Sequence, residues 1–511
     1  MADQQAFIAD LQAGYTFKGE YFSIGAAMLN GEVLKGQMVN LPLKTMNRHG
    51  LIAGATGTGK TKTLQMLAEG LSQASVPVLV MDIKGDFSGI AAEGLENDKI
   101  KERVERTGME WKASAFPVEL MTLSQEKGVR MRSTVTEFGP VLMSKILGLN
   151  DTQEGVMSMI FKYCDDSSMA LLDLKDLIKV LQYLGNEGKK EVEAEYGKIS
   201  TTSTGTILRK LIELQQQGAD LFFGEPSFEM DDLMRIGDDG RGVISVLRVT
   251  DMQNRPKLFS TFMLGLLAEL YATMPEEGDL DKPKLVFFID EAHLIFQEAT
   301  SALLQQIETV IKLIRSKGVG IFFCTQNPQD IPASVLSQLG LKVQHALRAF
   351  TAVDRKTIKT AAQNYPETKY YDVDNLLTQL GIGEAFVTLL NEKGIPTPLV
   401  HTFLASPASR MDVLSPQEID NLVAQSRLVR KYADSVDNES AYEILTAKLQ
   451  QAAAEQQQPK TTEKTTTKKE ESFFDNPAVR QASRTAASML TRTLLGALGL
   501  GGNRRRRNGF F

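Results

Sequence analysis

Cysteine is scarce in this chain: only Cys164 and Cys324 occur in 511 residues. Two thiols cannot build a disulfide framework or a four-thiolate zinc site, so both are expected as buried, unreactive side chains. Histidine is nearly as rare, and His49, His293, His345 and His401 stand at no metal-ligand spacing from either cysteine. The start, Met1-Ala-Asp-Gln-Gln, lacks the basic region and apolar stretch of a secretory leader. Long apolar runs are missing as well. The most apolar window, Leu258 to Met274, is interrupted by Glu269 and is too short to cross a bilayer. These absences exclude a disulfide scaffold, a zinc module and a transmembrane segment, and predict a cytoplasmic protein.

What is present describes a globular chain. Hydrophobic residues make up 42% and charged residues 23%, far too apolar for general disorder. The length predicts about three domain-sized units with ample core. Acidic residues disappear from Asn476 onward, where Arg480, Arg484, Arg492 and Arg504 to Arg507 add seven positive charges. Of the formal net charge of −6, residues 1–475 therefore carry −13. An acidic body argues against a surface coated for nucleic acid, though it leaves room for a local basic channel.

Along the chain, residues 1–46 read as a short strand-rich lead-in. From Gly50 apolar runs alternate with helical patterns, the signature of an α/β fold with a mostly parallel sheet. Leu51-Ile-Ala, Val76 to Met81, Val243 to Leu247, Lys284 to Ile289, Gly320 to Cys324 and Val343 to Leu347 read as strands. Residues 47–139 and 219–430 form the predicted α/β core. Residues 140–218 break the alternation: Leu171, Leu174, Leu177, Ile178, Leu181 and Leu184 fall at helical spacing, which predicts an all-helical insertion. A C-terminal helix is expected over 431–449, a flexible linker over 450–475 and a disordered basic tail over 476–511. Arg504 to Arg507 are expected to tether the protein to a polyanion.

Two motifs carry the chemistry. Gly54, Ala55, Thr56, Gly57, Thr58, Gly59, Lys60 and Thr61 fit G-x-x-x-x-G-K-[ST] at every position, between a strand and a helix, with Lys62 directly after. Such a loop curls its N–H groups toward phosphate oxygens at a helix N-terminus. Lys60 is the expected partner of the β- and γ-phosphates of ATP, and Thr61 of Mg²⁺. The second motif is Leu285-Val-Phe-Phe-Ile-Asp290-Glu291. Its buried strand delivers Asp290 toward Mg²⁺ and Glu291 toward the attacking water as general base. A Glu after the Asp favours hydrolysis over a small-molecule kinase. Gln326, ending the next strand, is expected to hold the water or sense the γ-phosphate. Arg315 and Arg348 are candidate fingers for transition-state charge, in cis or into a neighbouring subunit. Asp82-Ile-Lys84-Gly85-Asp86 either lines the site or builds a turn. Asp290-Glu-Ala-His293 suggests a DEAH-box helicase, but no glycine- and arginine-rich sixth motif of that class follows.

Taken in order, Gly54–Thr61, Asp82–Asp86, Asp290-Glu291, Arg315-x-x-Gly318 and Thr325-Gln326-Asn-Pro-x-Asp-Ile-Pro332 resemble the HerA/FtsK superfamily. His49-Gly-Leu-Ile-Ala-Gly-Ala-Thr-Gly-Thr-Gly-Lys and Gln344-His-Ala-Leu-Arg-Ala-Phe350 are similar to its bacterial YjgR-like branch. The resemblance spans roughly residues 20–430. It implies a RecA-like ATPase core and a homo-hexameric ring with ATP between subunits, a finger arginine coming from the neighbour, and it makes DNA the expected substrate. The family's archaeal helicases carry an N-terminal barrel that docks a nuclease, and its membrane-tethered pumps carry N-terminal spans. The residues before Gly50 match neither, so neither a nuclease partner nor a membrane anchor is expected. The competing reading is an ATPase that remodels a protein partner through the helical insertion, without nucleic acid.

Overall fold

The computed structural model describes residues 2–250, 255–278, 280–296, 301–349, 351–436 and 438–457. Among them twelve strands are found: β1 Tyr21–Leu29, β2 Glu32–Pro42, β3 Gly50–Ala53, β4 Val78–Asp82, β5 Val118–Thr122, β6 Val129–Arg130, β7 Ile244–Arg248, β8 Leu285–Ile289, β9 Val319–Thr325, β10 Leu341–Gln344, β11 Glu384–Thr388 and β12 Val400–Leu404. They join in one sheet in the order β2-β1-β12-β11-β10-β3-β9-β8-β4-β7-β5-β6. From β10 to β6 every pairing is parallel, whereas β11, β12, β1 and β2 add four antiparallel strands on the other flank.

The central strands are buried along their whole length, as a parallel sheet covered on both faces requires. Successive side chains alternate between two cores. Leu51, Leu79, Phe287 and Phe323 pack with the helices Pro256–Thr273 and Ser301–Ile314, and this core continues into the helical region. Ile52, Val80, Phe288 and Phe322 pack on the opposite face with Leu64, Leu67 and Leu71 of the helix Lys60–Gln73.

The helical region consists of Val135–Ile146, Asp151–Asp166, Leu174–Gly185, Lys189–Glu195 and Thr201–Gln216, between β6 and β7. Asn150 and Asp173 open two of these helices as reciprocal capping boxes with Gln153 and Asp176. The Asp176 carboxylate also accepts from the Ser440 hydroxyl and the Tyr442 N–H, which pins the C-terminal helix Ala441–Gln457 onto the insertion.

Three boundaries differ from the sequence reading. The lead-in opens with a helix, Ala2–Tyr15, because Phe7, Leu11 and Tyr15 recur every four residues and are buried as one stripe. The expected helix over 431–449 is two, Arg427–Tyr432 and Ala441–Gln457. The second runs eight residues into the expected linker, because Ala441 and Leu445 are buried at its start. Finally, β10 ends at Gln344, so Arg348 follows the strand rather than closing it. The rest of the linker and the basic tail lie outside the described residues.

One histidine sets where β3 begins. His49 adopts φ 59° between a 3₁₀ turn and β3. Its Nδ1 accepts the Ile321 N–H of β9 at 3.0 Å, leaving Nε2 to donate to the Ile311 carbonyl at 2.9 Å. The ring thus ties β3 to its neighbour and to the helix Ser301–Ile314. Burial holds its pKa down to about 4 from 6.5. An unfolded chain takes up this proton first, so stability falls as pH drops through 6.5 and levels off near 4. Between pH 7 and pH 5 this group accounts for about 2 kcal/mol of lost stability. His49→Asn should be less stable at pH 8 in denaturant titration, yet lose about 2 kcal/mol less on going from pH 7 to pH 5. An unaltered pH slope would refute the buried neutral ring.

Candidate active site

All strands from β10 to β6 run parallel, so their C-terminal ends collect on one edge of the sheet, and the loops leaving them share that edge. The loop Gly54–Gly59 leaves β3 between β9 and β10. It is tied to both: the Gly54 N–H donates to the Thr325 carbonyl at 3.2 Å and the Ala55 N–H to the Ala346 carbonyl at 2.8 Å. Gly57 and Gly59 have φ of 78° and 112°, a left-handed backbone that glycine adopts without strain. Gly54 is needed for a second reason, since a Cβ there lies 2.5 Å from Cβ of His345.

The loop closes on itself. Thr58 Oγ1 and Lys60 Nζ both donate to the Ala55 carbonyl, at 2.7 and 3.0 Å. Burial lowers the Lys60 pKa from the usual lysine value. His345 lies beneath, fully buried, with Nε2 2.9 Å from the Thr63 hydroxyl. Burial, reinforced by the Lys60 charge, brings its pKa to about 3, so the ring is neutral at working pH. Lys62, next in the chain, turns its side chain away from the loop. Its ammonium reaches the Met411 carbonyl and Gln65, which ties the helix to the segment after β12.

Two strands away, β8 is followed directly by Asp290 and Glu291, both buried. Burial raises the Asp290 pKa, and the neighbouring Lys84 charge opposes the rise. Glu291 goes the other way: burial would lift it, but the hydrogen bond and charge of Lys84 hold it below the usual carboxylate value. Glu291 also sits at φ 46°, a left-handed conformation for a residue with a Cβ. Three side chains surround its carboxylate. Lys84 forms an ion pair with it, His293 Nδ1 lies 3.2 Å away and Gln326 Nε2 lies 3.5 Å away.

Gln326 follows β9, which runs between the strands of Lys60 and Asp290. Its turn is built by Asp330, whose carboxylate accepts from the Thr325 hydroxyl at 2.6 Å and the Asn327 N–H at 3.2 Å. Lys84 comes from β4. There the Asp82 carboxylate accepts the N–H groups of Gly85, Asp86 and Phe87, at 2.7, 3.2 and 3.1 Å. Burial pushes the Asp82 pKa up to about 6. The turn presents Lys84 to Asp290 Oδ2 at 3.8 Å and Asp86 to the Thr61 hydroxyl at 3.5 Å. The Asp82–Asp86 segment therefore both builds a turn and lines the site.

The donor set suits magnesium held jointly with phosphates. Thr61 and Asp290 offer hard oxygens, with Asp86 beside Thr61, and among the described residues no cluster of three metal-ligating side chains exists that would hold an ion without nucleotide. The two arginines separate. Arg348 is exposed on the catalytic edge, two residues beyond the Ala346 that bonds the phosphate loop, in long contact with the Thr378 carbonyl at 3.5 Å. Arg315 precedes β9, at the opposite end of the sheet, about 20 Å along the strand from Thr325. Lys84 and His293 were missed as partners of Glu291. The charged turn was visible in the sequence, but its reach to a neighbouring strand was not.

The chain is 21% identical over 373 residues to the DNA double-strand break repair helicase HerA of Saccharolobus solfataricus, covering 72% of this chain and 67% of that protein. It is 23% identical over 349 residues to a probable helicase of Methanocaldococcus jannaschii, covering 67% and 60%. It therefore spans about two thirds of the length of these relatives. Among solved structures, the plasmid coupling protein TrwB with a non-hydrolysable ATP analogue shares the fold, at TM-score 0.50 and 14% identity over 79% of this chain and 99% of that one. Among the described residues no helix is long and apolar enough to cross a membrane. The model of the helicase HerA-like C-terminal family matches residues 28–476, and the chain belongs to that family of P-loop ATPases.

Proposed function

We propose that the protein is an ATP-hydrolysing ring motor that translocates or remodels DNA. The observation that carries the enzymatic part is the convergence of Lys60, Thr61, Asp290, Glu291 and Gln326 on one sheet edge, although they come from three strands. Lys60 and the loop N–H groups beyond Gly54 and Ala55, whose own N–H groups are taken by the Thr325 and Ala346 carbonyls, bind the phosphates of ATP. Thr61 and Asp290 would hold Mg²⁺, which would supply neutralisation of the phosphate charge. Glu291, kept anionic by Lys84, takes a proton from the attacking water as its oxygen bonds the γ-phosphorus and ADP leaves. Gln326, beside Glu291, orients that water. The buried free thiols Cys164 and Cys324 suit a reducing, cytoplasmic setting.

The arginines divide by position. Arg348 shares the edge of its own phosphate loop and stabilises transition-state charge in cis. Arg315 is too remote for its own site and serves the neighbouring subunit, which requires a closed oligomer; the family's ring is a hexamer. DNA as substrate rests on the relatives' described activity.

Two experiments test this. Glu291→Gln and Arg315→Ala proteins should each bind ATP and fail to turn over. Mixed in equal amounts, they should recover about a quarter of wild-type hydrolysis, the fraction of interfaces that pair an intact Glu291 with an intact Arg315. Arg348→Ala mixed with Glu291→Gln should recover nothing; the reverse pattern would exchange the two roles. Wild-type hydrolysis should rise with duplex DNA, and the DNA concentration giving half of the rise should increase at least about tenfold between 50 and 200 mM salt, since phosphate contacts release counterions. A rate indifferent to DNA at low salt would favour a protein substrate.

A further inference from the structure

The ion pair of Lys84 is not needed to bind phosphate or to pass a proton, yet it occupies the most constrained corner of the site. Asp290 and Glu291 are successive carboxylates on one strand end, 5% and 6% exposed. Two buried anions so close repel and are poorly solvated, so a cation must accompany them. Lys84 is that cation: its ammonium pairs with Glu291 and stands 3.8 Å from Asp290 Oδ2. It approaches from the open side, with its side chain 36% exposed. Its backbone is fixed by the turn that the Asp82 carboxylate organises, and Gly85 at φ 76° lets that turn close. A rigid base with a flexible four-carbon arm makes a cation that moves without disturbing the fold.

A divalent ion held by Asp290 and the Lys84 ammonium bring positive charge to the same carboxylate. We infer that Lys84 is a positioning residue that competes with the metal. It holds Asp290 and Glu291 together, and it is driven off Asp290 when the metal–nucleotide complex arrives while it continues to orient Glu291. Metal arrival is thereby coupled to the placement of the general base. Glu291 is held at φ 46° with a partner on each side, His293 and Gln326, so it keeps its direction when the ammonium shifts. The inference rests on the proposed reading of Asp290 as a metal-holding residue and deepens it.

The test measures binding rather than turnover. Mn²⁺ binding to the full-length protein in the presence of saturating ADP is followed by electron paramagnetic resonance for wild type, Lys84→Met and Lys84→Arg. Circular dichroism melting checks that each variant is folded. Lys84→Met, which keeps the arm and removes the charge, should bind Mn²⁺ about tenfold more tightly, and Lys84→Arg should match wild type. ADP and ATP affinities measured in excess chelator should stay within about twofold of wild type for both variants. Unchanged or weaker Mn²⁺ binding by Lys84→Met overturns the competition. A selective loss of ATP over ADP affinity also overturns it and makes Lys84 a γ-phosphate ligand. If wild-type protein binds ADP but no Mn²⁺, the reading of Asp290 itself fails, which separates that failure from the failure of Lys84 alone.

Discussion

The conformation of Glu291 is the constraint on which the rest of the site turns. A residue with a Cβ held at φ 46° stores about 1–2 kcal/mol of backbone strain. The strain persists because the surroundings leave no relaxed alternative. β8 is buried along its whole length and ends two residues earlier, at Ile289, and the short helix His293–Phe296 starts two residues later. Between them the chain delivers a carboxylate to the sheet edge. The Lys84 ion pair, with His293 and Gln326 alongside, stabilises the outcome.

The same logic recurs at the other strand ends. Two loops on the catalytic edge are built by a carboxylate that accepts backbone N–H groups, Asp82 after β4 and Asp330 after β9, and buried His345 meets the Thr63 hydroxyl of the helix that begins at Lys60. His49 does comparable work where β3 starts. These groups do not meet the reaction themselves. They fix where Lys60, Lys84, Gln326 and Glu291 stand, and the parallel sheet provides a floor on which those positions are held to one edge.

How much of this the sequence disclosed depended on the range of the interaction involved. Strands buried on both faces, such as Leu285–Ile289 and Val319–Thr325, are continuous apolar runs, and the phosphate loop is a local pattern. The α/β class and the helical segment expected over 140–218, which in the structure begins at Val135, were therefore legible. The antiparallel flank was legible only in part: β1 and β2 lie in the strand-rich lead-in, whereas β11 and β12 are five residues each and owe their strand character to one another and to β1. The helix Ala2–Tyr15 escaped because its buried stripe is only three large side chains wide. For Lys84 the sequence left open a turn or a place lining the site, and His293 read as a motif coincidence, because contact with Glu291 depends on strand order. Arg315 and Arg348 looked equivalent in the sequence and are separated only by the direction in which β9 and β10 run.

A direct test of this account compares the stabilities of Glu291→Gly and Glu291→Ala. Both variants remove the same carboxylate and the same ion pair, so the difference between them reports the backbone alone. With Glu291 in the left-handed region, the glycine variant should be the more stable by about 1 kcal/mol in denaturant titration, against the usual preference for alanine. An alanine variant as stable as the glycine one, or more stable, would contradict a strained Glu291 and with it the placement of the general base.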